Sequence, residues 1–360
     1  MYIIQFEKIA PLLLDQLINE IYLLPNNENI IIDHEVQGRI KTDLGCSSKE
    51  IEYFLQRFSR ENNKEISVVR SSFKGDFEFL PYFVLRITGD IPPFAITGPS
   101  LNIRKLRNIP ITFKDLIDSN TITKEAFGLI LYLMNYEVNI TIIGNPNSGK
   151  TTLQTSLINL LPKNWRIIIF EQQKEYVIKN KKNHLIRFHF EEMFHNSRKE
   201  NLNSKIDTLL HRSPDYVSLG EVTTEEQAIT WYKTLSAGIP TILTLHGNGM
   251  NSIIPRIQNI MKIPESLIIS SIPHVFIELK KFWIQNRIVR RVTGVYELKK
   301  NLSDEIILDP LFSWSKEKMQ LIQIVKFEDL NIWNFLMQKT KLDHLDDLKK
   351  LLTKGLYTGD

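Results

Sequence analysis

Residues Gly144 to Thr152, reading GNPNSGKTT, set a lysine and two hydroxyls directly behind a glycine-bearing turn. Those residue types at that spacing can grip a row of phosphates. Glycine at 144 and 149 lets main-chain N–H groups curl around phosphate oxygens, where a side chain would block the approach. A helix starting in the loop adds the partial positive charge of its N-terminus. The expected ligand is a nucleoside triphosphate with Mg²⁺, held by Gly144, Asn147, Ser148, Gly149, Lys150, Thr151 and Thr152. Lys150 should reach the β- and γ-phosphates, and the Thr151 hydroxyl should enter the metal's shell. The dull alternative is an accidental glycine turn.

The flanking pattern argues against that alternative. Asn139–Ile143 is an apolar, β-branched run that reads as a buried strand ahead of the loop. Thr152–Leu161 reads as an apolar-periodic helix behind it, stopping at Pro162. Phosphoryl chemistry also needs an acid to hold metal or orient water. In parallel sheets such groups sit at the carboxyl ends of strands. Three predicted strand ends carry candidates: Glu171, Glu221 and His246. Each alone has an ordinary explanation, a solvated carboxylate or a turn histidine. Together, at the same sheet edge as the phosphate loop, they form a set.

The wider chain supports that placement. From about Thr121, short apolar runs recur at Asn139–Ile143, Trp165–Phe170, Leu185–Phe190, Tyr216–Leu219, Thr241–Leu245 and His274–Leu279. Helical segments separate several of them, the pattern of an α/β domain with a mainly parallel sheet covered on both faces. A hairpin-like pair, Phe282–Ile284 and Val289–Leu298, follows. Residues 1–112 read as a small α+β domain. Its elements are an amphipathic helix over Leu13–Tyr22 with Pro11 in the first turn, a helix over Ser47–Asn62, and strands at 29–33, 65–71, 77–89 and 101–106. Ile109–Asp118 reads as the linker, residues 113–300 as the nucleotide domain, and residues 301–360 as a mostly helical tail.

Composition sets limits. The 360 residues are 42% hydrophobic, enough for two domains with cores. A single cysteine excludes a disulfide framework and a cysteine-based zinc site. A formal charge of +4 spread among nearly as many acids is ordinary mixed surface and gives weak support for nucleic acid. Ala126–Gly144, the best candidate span, is broken by Asn135, Glu137 and Asn139. No basic region leads the N-terminus, and Glu7 and Lys8 interrupt its apolar stretch, so no signal peptide is expected. The expectation is a cytoplasmic protein.

Three further stretches occur in a recognisable order: Arg212-Ser-Pro-Asp-Tyr-Val-Ser-Leu-Gly-Glu221-Val, Leu235-Ser-Ala-Gly238 and Thr244-Leu-His246-Gly-Asn248. They resemble the secretion and pilus assembly ATPases, the motors of type II and type IV secretion, type IV pili and the archaeal swimming filament. Upstream, Leu85-Arg86-Ile-Thr and Gly98-Pro-Ser-Leu-Asn-Ile-Arg104-Lys105 look like that family's N-terminal arginine segments. Asp309-Pro-Leu-Phe-Ser-Trp314 looks like the tail of its archaeal branch, so the resemblance spans roughly residues 29 to 315.

The resemblance implies a RecA-like P-loop domain behind a small α+β domain, using ATP and Mg²⁺. It implies that Glu221 is the Walker B glutamate that orients or activates water. Glu171 and Glu175 fall in the acidic box that supports Mg²⁺, and His246 matches the histidine box. Arg86 and Arg104 would reach the nucleotide from the N-terminal domain. Implied partners are five further copies in a hexamer and a polytopic membrane platform protein. A conjugation-type ATPase of similar architecture is the alternative, and a DNA translocase or a regulatory nucleotide-binding subunit are more distant ones. The chain departs from the pattern twice. Gln172 stands where the acidic box usually has Asp, and Thr223 stands where Arg usually follows the Walker B glutamate.

Overall fold

The computed structural model describes residues 8–25, 29–79, 83–107, 109–172, 175–178, 184–189, 206–269, 273–284, 287–301, 303, 305–325 and 331–340. The chain forms two compact units, one of residues 1–109 with 283–289, the other of 110–282 with 290–360.

In the first unit, α1 (Ala10–Leu14) carries proline in its first turn and gives way to β1 (Ile18–Leu23). The expected helix through Tyr22 is therefore corrected. Ile18, Ile21 and Leu23 are buried from a strand whose register shifts between Ile18 and Glu20. The irregularity sets two inward residues three apart and so imitates helical spacing. Next come β2 (Asn29–His34), β3 (Gly38–Gly45), α2 (Ser48–Glu61), β4 (Ser72–Phe79), β5 (Phe83–Asp90) and β6 (Ser100–Arg107). Their six-stranded sheet has the order β3-β2-β1-β6-β5-β4. Ser47 caps α2, its hydroxyl accepting from the Glu50 N–H while the Glu50 carboxylate accepts from Ser47. Ile51, Leu55 and Phe58 on that helix are buried in the unit's core.

The second unit opens with α3 (Phe113–Asp118), inside the expected linker, where Thr112 and Asp115 form another reciprocal cap. Then come α4 (Lys124–Asn135), β7 (Asn139–Gly144), α5 (Lys150–Ile158), β8 (Arg166–Glu171), β9 (His184–His189), β10 (Tyr216–Glu221), α6 (Glu225–Ser236) and β11 (Thr241–Leu245). The run ends with β12 (His274–Ile284), β13 (Arg287–Lys300), β14 (Ile306–Ser315), β15 (Gln320–Gln323) and α7 (Asn331–Thr340). These strands make a nine-stranded sheet ordered β15-β14-β13-β12-β7-β11-β10-β8-β9, parallel from β12 through β9. Every residue of β7 is buried, as a central strand covered on both faces requires. Ile140 and Ile142 enter the core lined by α4, α5 and α7, and Ile143 enters the opposite one, lined by α6.

The mostly helical tail is corrected too. Residues 306–315 and 320–323 are strands that extend the sheet antiparallel from β13. Pro310 is accommodated where the β13–β14 register shifts, the position a strand proline needs. The helix expected over Leu342–Leu352 lies outside the described residues. No described helix is long and apolar enough to cross a membrane.

Candidate active site

Four adjacent strands, β7, β11, β10 and β8, bring their carboxyl ends to one edge. Gly144 ends β7, His246 follows β11, Glu221 ends β10 and Glu171 ends β8. The parallel register thus collects residues more than a hundred positions apart.

The loop's geometry depends on its glycines. A Cβ on Gly144 would lie 2.2 Å from the Leu279 carbonyl oxygen and 2.6 Å from Ser148 Oγ. Gly149 caps α5 at φ +97°, in the left-handed region that side chains resist. Ser148 Oγ is buried without a protein partner, a polar atom left for a ligand in the cradle. Lys150 is 7% exposed, and its Nζ donates to Gly144 O at 3.0 Å and Asn145 O at 3.2 Å. It also lies 3.2 Å from His246 Nδ1 and 3.9 Å from Glu221 Oε1. Burial lowers the Lys150 pKa, opposed by the Glu221 and Glu175 carboxylates. That is a desolvated cation whose charge the facing carboxylates favour.

Glu221 reaches this cluster because β10 carries an extra residue at Gly220: Leu219 pairs with Leu243, but Glu221 pairs with Thr244. The bulge re-aims the carboxylate, and Thr244 Oγ1 holds it open by donating to Gly220 O at 2.6 Å. His246 Nε2 meets Glu221 Oε1, so one imidazole bridges the carboxylate and the lysine. Thr151 Oγ1 donates to Glu175 Oε2 at 3.3 Å, which pairs two of the expected metal-shell residues. Glu171, the third, is 4% exposed and engaged with Arg187. Among the described residues no group of three His, Cys, Asp or Glu could hold a metal ion.

Arg86 and Arg104 pair across β5 and β6 in the first unit. Arg86 is buried against Asp76 at 3.1 Å, and Arg104 lies 3.6 Å from Glu20. The two departures from the resembled pattern meet each other. Gln172 Nε2 donates to Thr223 Oγ1 at 3.4 Å, and Thr223 in turn donates to Gln227 Oε1 at 3.0 Å. A neutral contact stands where the pattern carries opposite charges.

Sequence reasoning missed Gln154. Fully buried on α5, its Nε2 donates to Leu219 O at 2.9 Å and lies 3.2 Å from Ile242 O, tying the loop's helix to β10 and β11. A lone amide between Leu153 and Leu157 on the apolar stripe was the available signal. Arg187 was missed as well, and no local pattern marks it.

A family model described as "Type II/IV secretion system protein" matches residues 14–290. The chain belongs to that family. It is 22% identical over 321 residues to an uncharacterized protein, MJ0900, of Methanocaldococcus jannaschii, which covers 86% of this chain and 55% of that one. The chain thus spans about half the length of that curated relative. Among solved structures it is similar to the Legionella pneumophila ATPase DotB, with a TM-score of 0.56, 14% identity and coverage of 93% and 82%. It is also similar to the pilus retraction motor PilT with bound ADP, with a TM-score of 0.54, 17% identity and coverage of 96% and 89%. Both likenesses bear out the fold: a RecA-like α/β domain preceded by a small α+β domain.

Proposed function

We propose that this chain is a ring-forming ATPase that powers assembly or transport by a type IV pilus-like or type II secretion-like machine. One observation carries the reading: Lys150, Glu221 and His246 converge at the mouth of the Gly144–Thr152 loop, where the lysine is buried among acceptors. Membership of the secretion family supports it.

The residues fit a triphosphate with Mg²⁺. Gly144, Asn147, Ser148, Gly149, Lys150, Thr151 and Thr152 would hold the phosphates, and Thr151 with Glu175 would face the cation. When bound, ATP with Mg²⁺ supplies the scissile phosphate and the neutralising charge. Glu221, fixed by His246, orients and deprotonates the attacking water. Arg86 and Arg104 are the cations proposed to neutralise developing charge. A homohexamer docked on a polytopic membrane protein is the working assembly, in the cytoplasm at the membrane's inner face.

Hydrolysis and fluorescent-ATP binding test this together. Lys150→Ala should weaken binding about 10- to 100-fold, the worth of lost charge-assisted hydrogen bonds. Glu221→Gln should bind normally and stop turning over. Equal turnover by Lys150→Ala and wild type would sink the assignment. Light scattering with a non-hydrolysable analogue should report a hexamer, and a monomer at every concentration would remove the ring.

A further inference from the structure

Arg187, on β9, belongs to no motif, yet it makes the best-formed ion pair at the site. Its Nε donates to Glu171 Oε1 at 2.6 Å and its Nη2 to Glu171 Oε2 at 2.8 Å. The strands fix this fork. Ile169 pairs with Arg187 and Glu171 with His189, so 187 lies one step diagonal to 171 on the same sheet face. Bidentate pairing of a buried carboxylate is strong and geometrically specific. Turning Glu171 toward a cation would strip a buried pair of one partner, a costly exchange.

Glu171 has a second engagement. Its Oε2 accepts from the Glu175 N–H at 3.2 Å, and Glu175 Oε2 accepts from the Thr151 hydroxyl at 3.3 Å. Arg187, Glu171, Glu175 and Thr151 therefore form one chain from the sheet's edge to the phosphate loop. The acidic box has two carboxylates, and the fork commits one of them.

We propose that Arg187 is a positioning residue: it withholds Glu171 from the cation and sets Glu175 beside Thr151 as the carboxylate that faces Mg²⁺. This rests on the nucleotide reading above and assigns within it which acid serves the metal. Its Nε and Nη2 both donate to Glu171, so Arg187 acts through that carboxylate. Lysine cannot replace it fully, because an ammonium cannot match both carboxylate oxygens in one plane.

Fluorescent-ATP binding by the full chain, in EDTA and across a Mg²⁺ titration, tests the proposal. Wild type should bind in EDTA and tighten with Mg²⁺. Arg187→Gln should keep its EDTA affinity and need about tenfold more Mg²⁺ for half the effect, the scale of one charge-assisted hydrogen bond. Arg187→Lys should fall between them, and it replaces Arg187→Gln should that variant lose cooperative unfolding. Glu175→Gln should abolish the Mg²⁺ effect. Arg187→Gln with Glu171→Gln should be no worse than the worse single variant, since both break one link. A wild-type Mg²⁺ response in both Arg187 variants overturns the proposal. So does loss of that response in Glu171→Gln with its retention in Glu175→Gln. Absence of wild-type binding in either condition overturns the nucleotide reading itself, so the two failures are distinguishable.

Discussion

Gln172 and Thr223 show how a change of residue type is read differently once its neighbour is known. Along the chain, each departure from the secretion-family pattern looks like the loss of a charged group. In space they share one contact at 3.4 Å. An acid and an arginine there would attract each other; the amide and hydroxyl that replace them keep a hydrogen bond without charge. Gln172→Asp alone should therefore be unfavourable, because it adds a third carboxylate beside Glu171 and Glu175 and removes the amide that donates to Thr223. Thr223→Arg supplied with it should recover the loss. A double-mutant cycle on thermal unfolding should give a favourable coupling of about 0.5 kcal/mol, the range for partly exposed pairs. Zero coupling would mean the two positions vary independently.

At the scale of elements, the site was legible where local chemistry and long-range position coincide. The phosphate loop and the parallel strands β7, β8, β10 and β11 announce themselves by glycine spacing and continuous apolar runs. Glu171, Glu221 and His246 follow because parallel strands gather their carboxyl ends. What stayed hidden has physical causes. β3 has one buried residue and alternates only weakly, so an edge strand left no apolar trace. β14 carries Pro310 and Asp309, which disguise a strand as a loop. The Arg187 fork exists only through the β8–β9 register. Two predictions belong to this scale. Gly144→Ala would push a methyl into the Leu279 carbonyl, which cannot yield without moving β12. It should cost about 1–3 kcal/mol in chemical denaturation and weaken nucleotide binding with it. The second concerns His274, which opens β12 with Nε2 2.7 Å from Thr141 Oγ1. Burial pulls its pKa from 6.5 down to about 3. The folded chain then stays neutral at this position while the unfolded chain takes a proton, so stability should fall as pH drops from 6.5 toward 3. The slope is about 1.4 kcal/mol per pH unit, or about 2 kcal/mol lost by pH 5. His274→Gln should flatten that part of the profile, and an unchanged slope would move the titration elsewhere.

For the whole molecule, the decisive point is that the chain beyond Lys300 completes the large unit. Leu311, Phe312, Leu321, Ile332 and Leu336 are buried in the same core as Ile140, Ile142 and the α5 residues Leu153 and Leu157. That core is one wall behind the phosphate loop. A tail merely laid over a finished domain would be removable at little cost, and a tail that supplies core is not. Burying each of these side chains is worth about 1.5–3 kcal/mol, so the five together approach the roughly 5–15 kcal/mol that separates folded from unfolded domains. Ending the chain after Lys300 would also leave β13 as a long open edge. That truncated chain should therefore aggregate or lose cooperative unfolding, although every residue of the phosphate loop, Glu221 and His246 is retained. Phe312→Ala in the full chain is the milder version. It should lower stability by about 3–5 kcal/mol, since the site lies between packed elements that cannot close over the void. Differential scanning calorimetry on both settles the matter. A sharp transition at the wild-type temperature for the chain ending at Lys300 would show that the nucleotide unit is complete without its last strands, and that the sheet's antiparallel extension is an appendage.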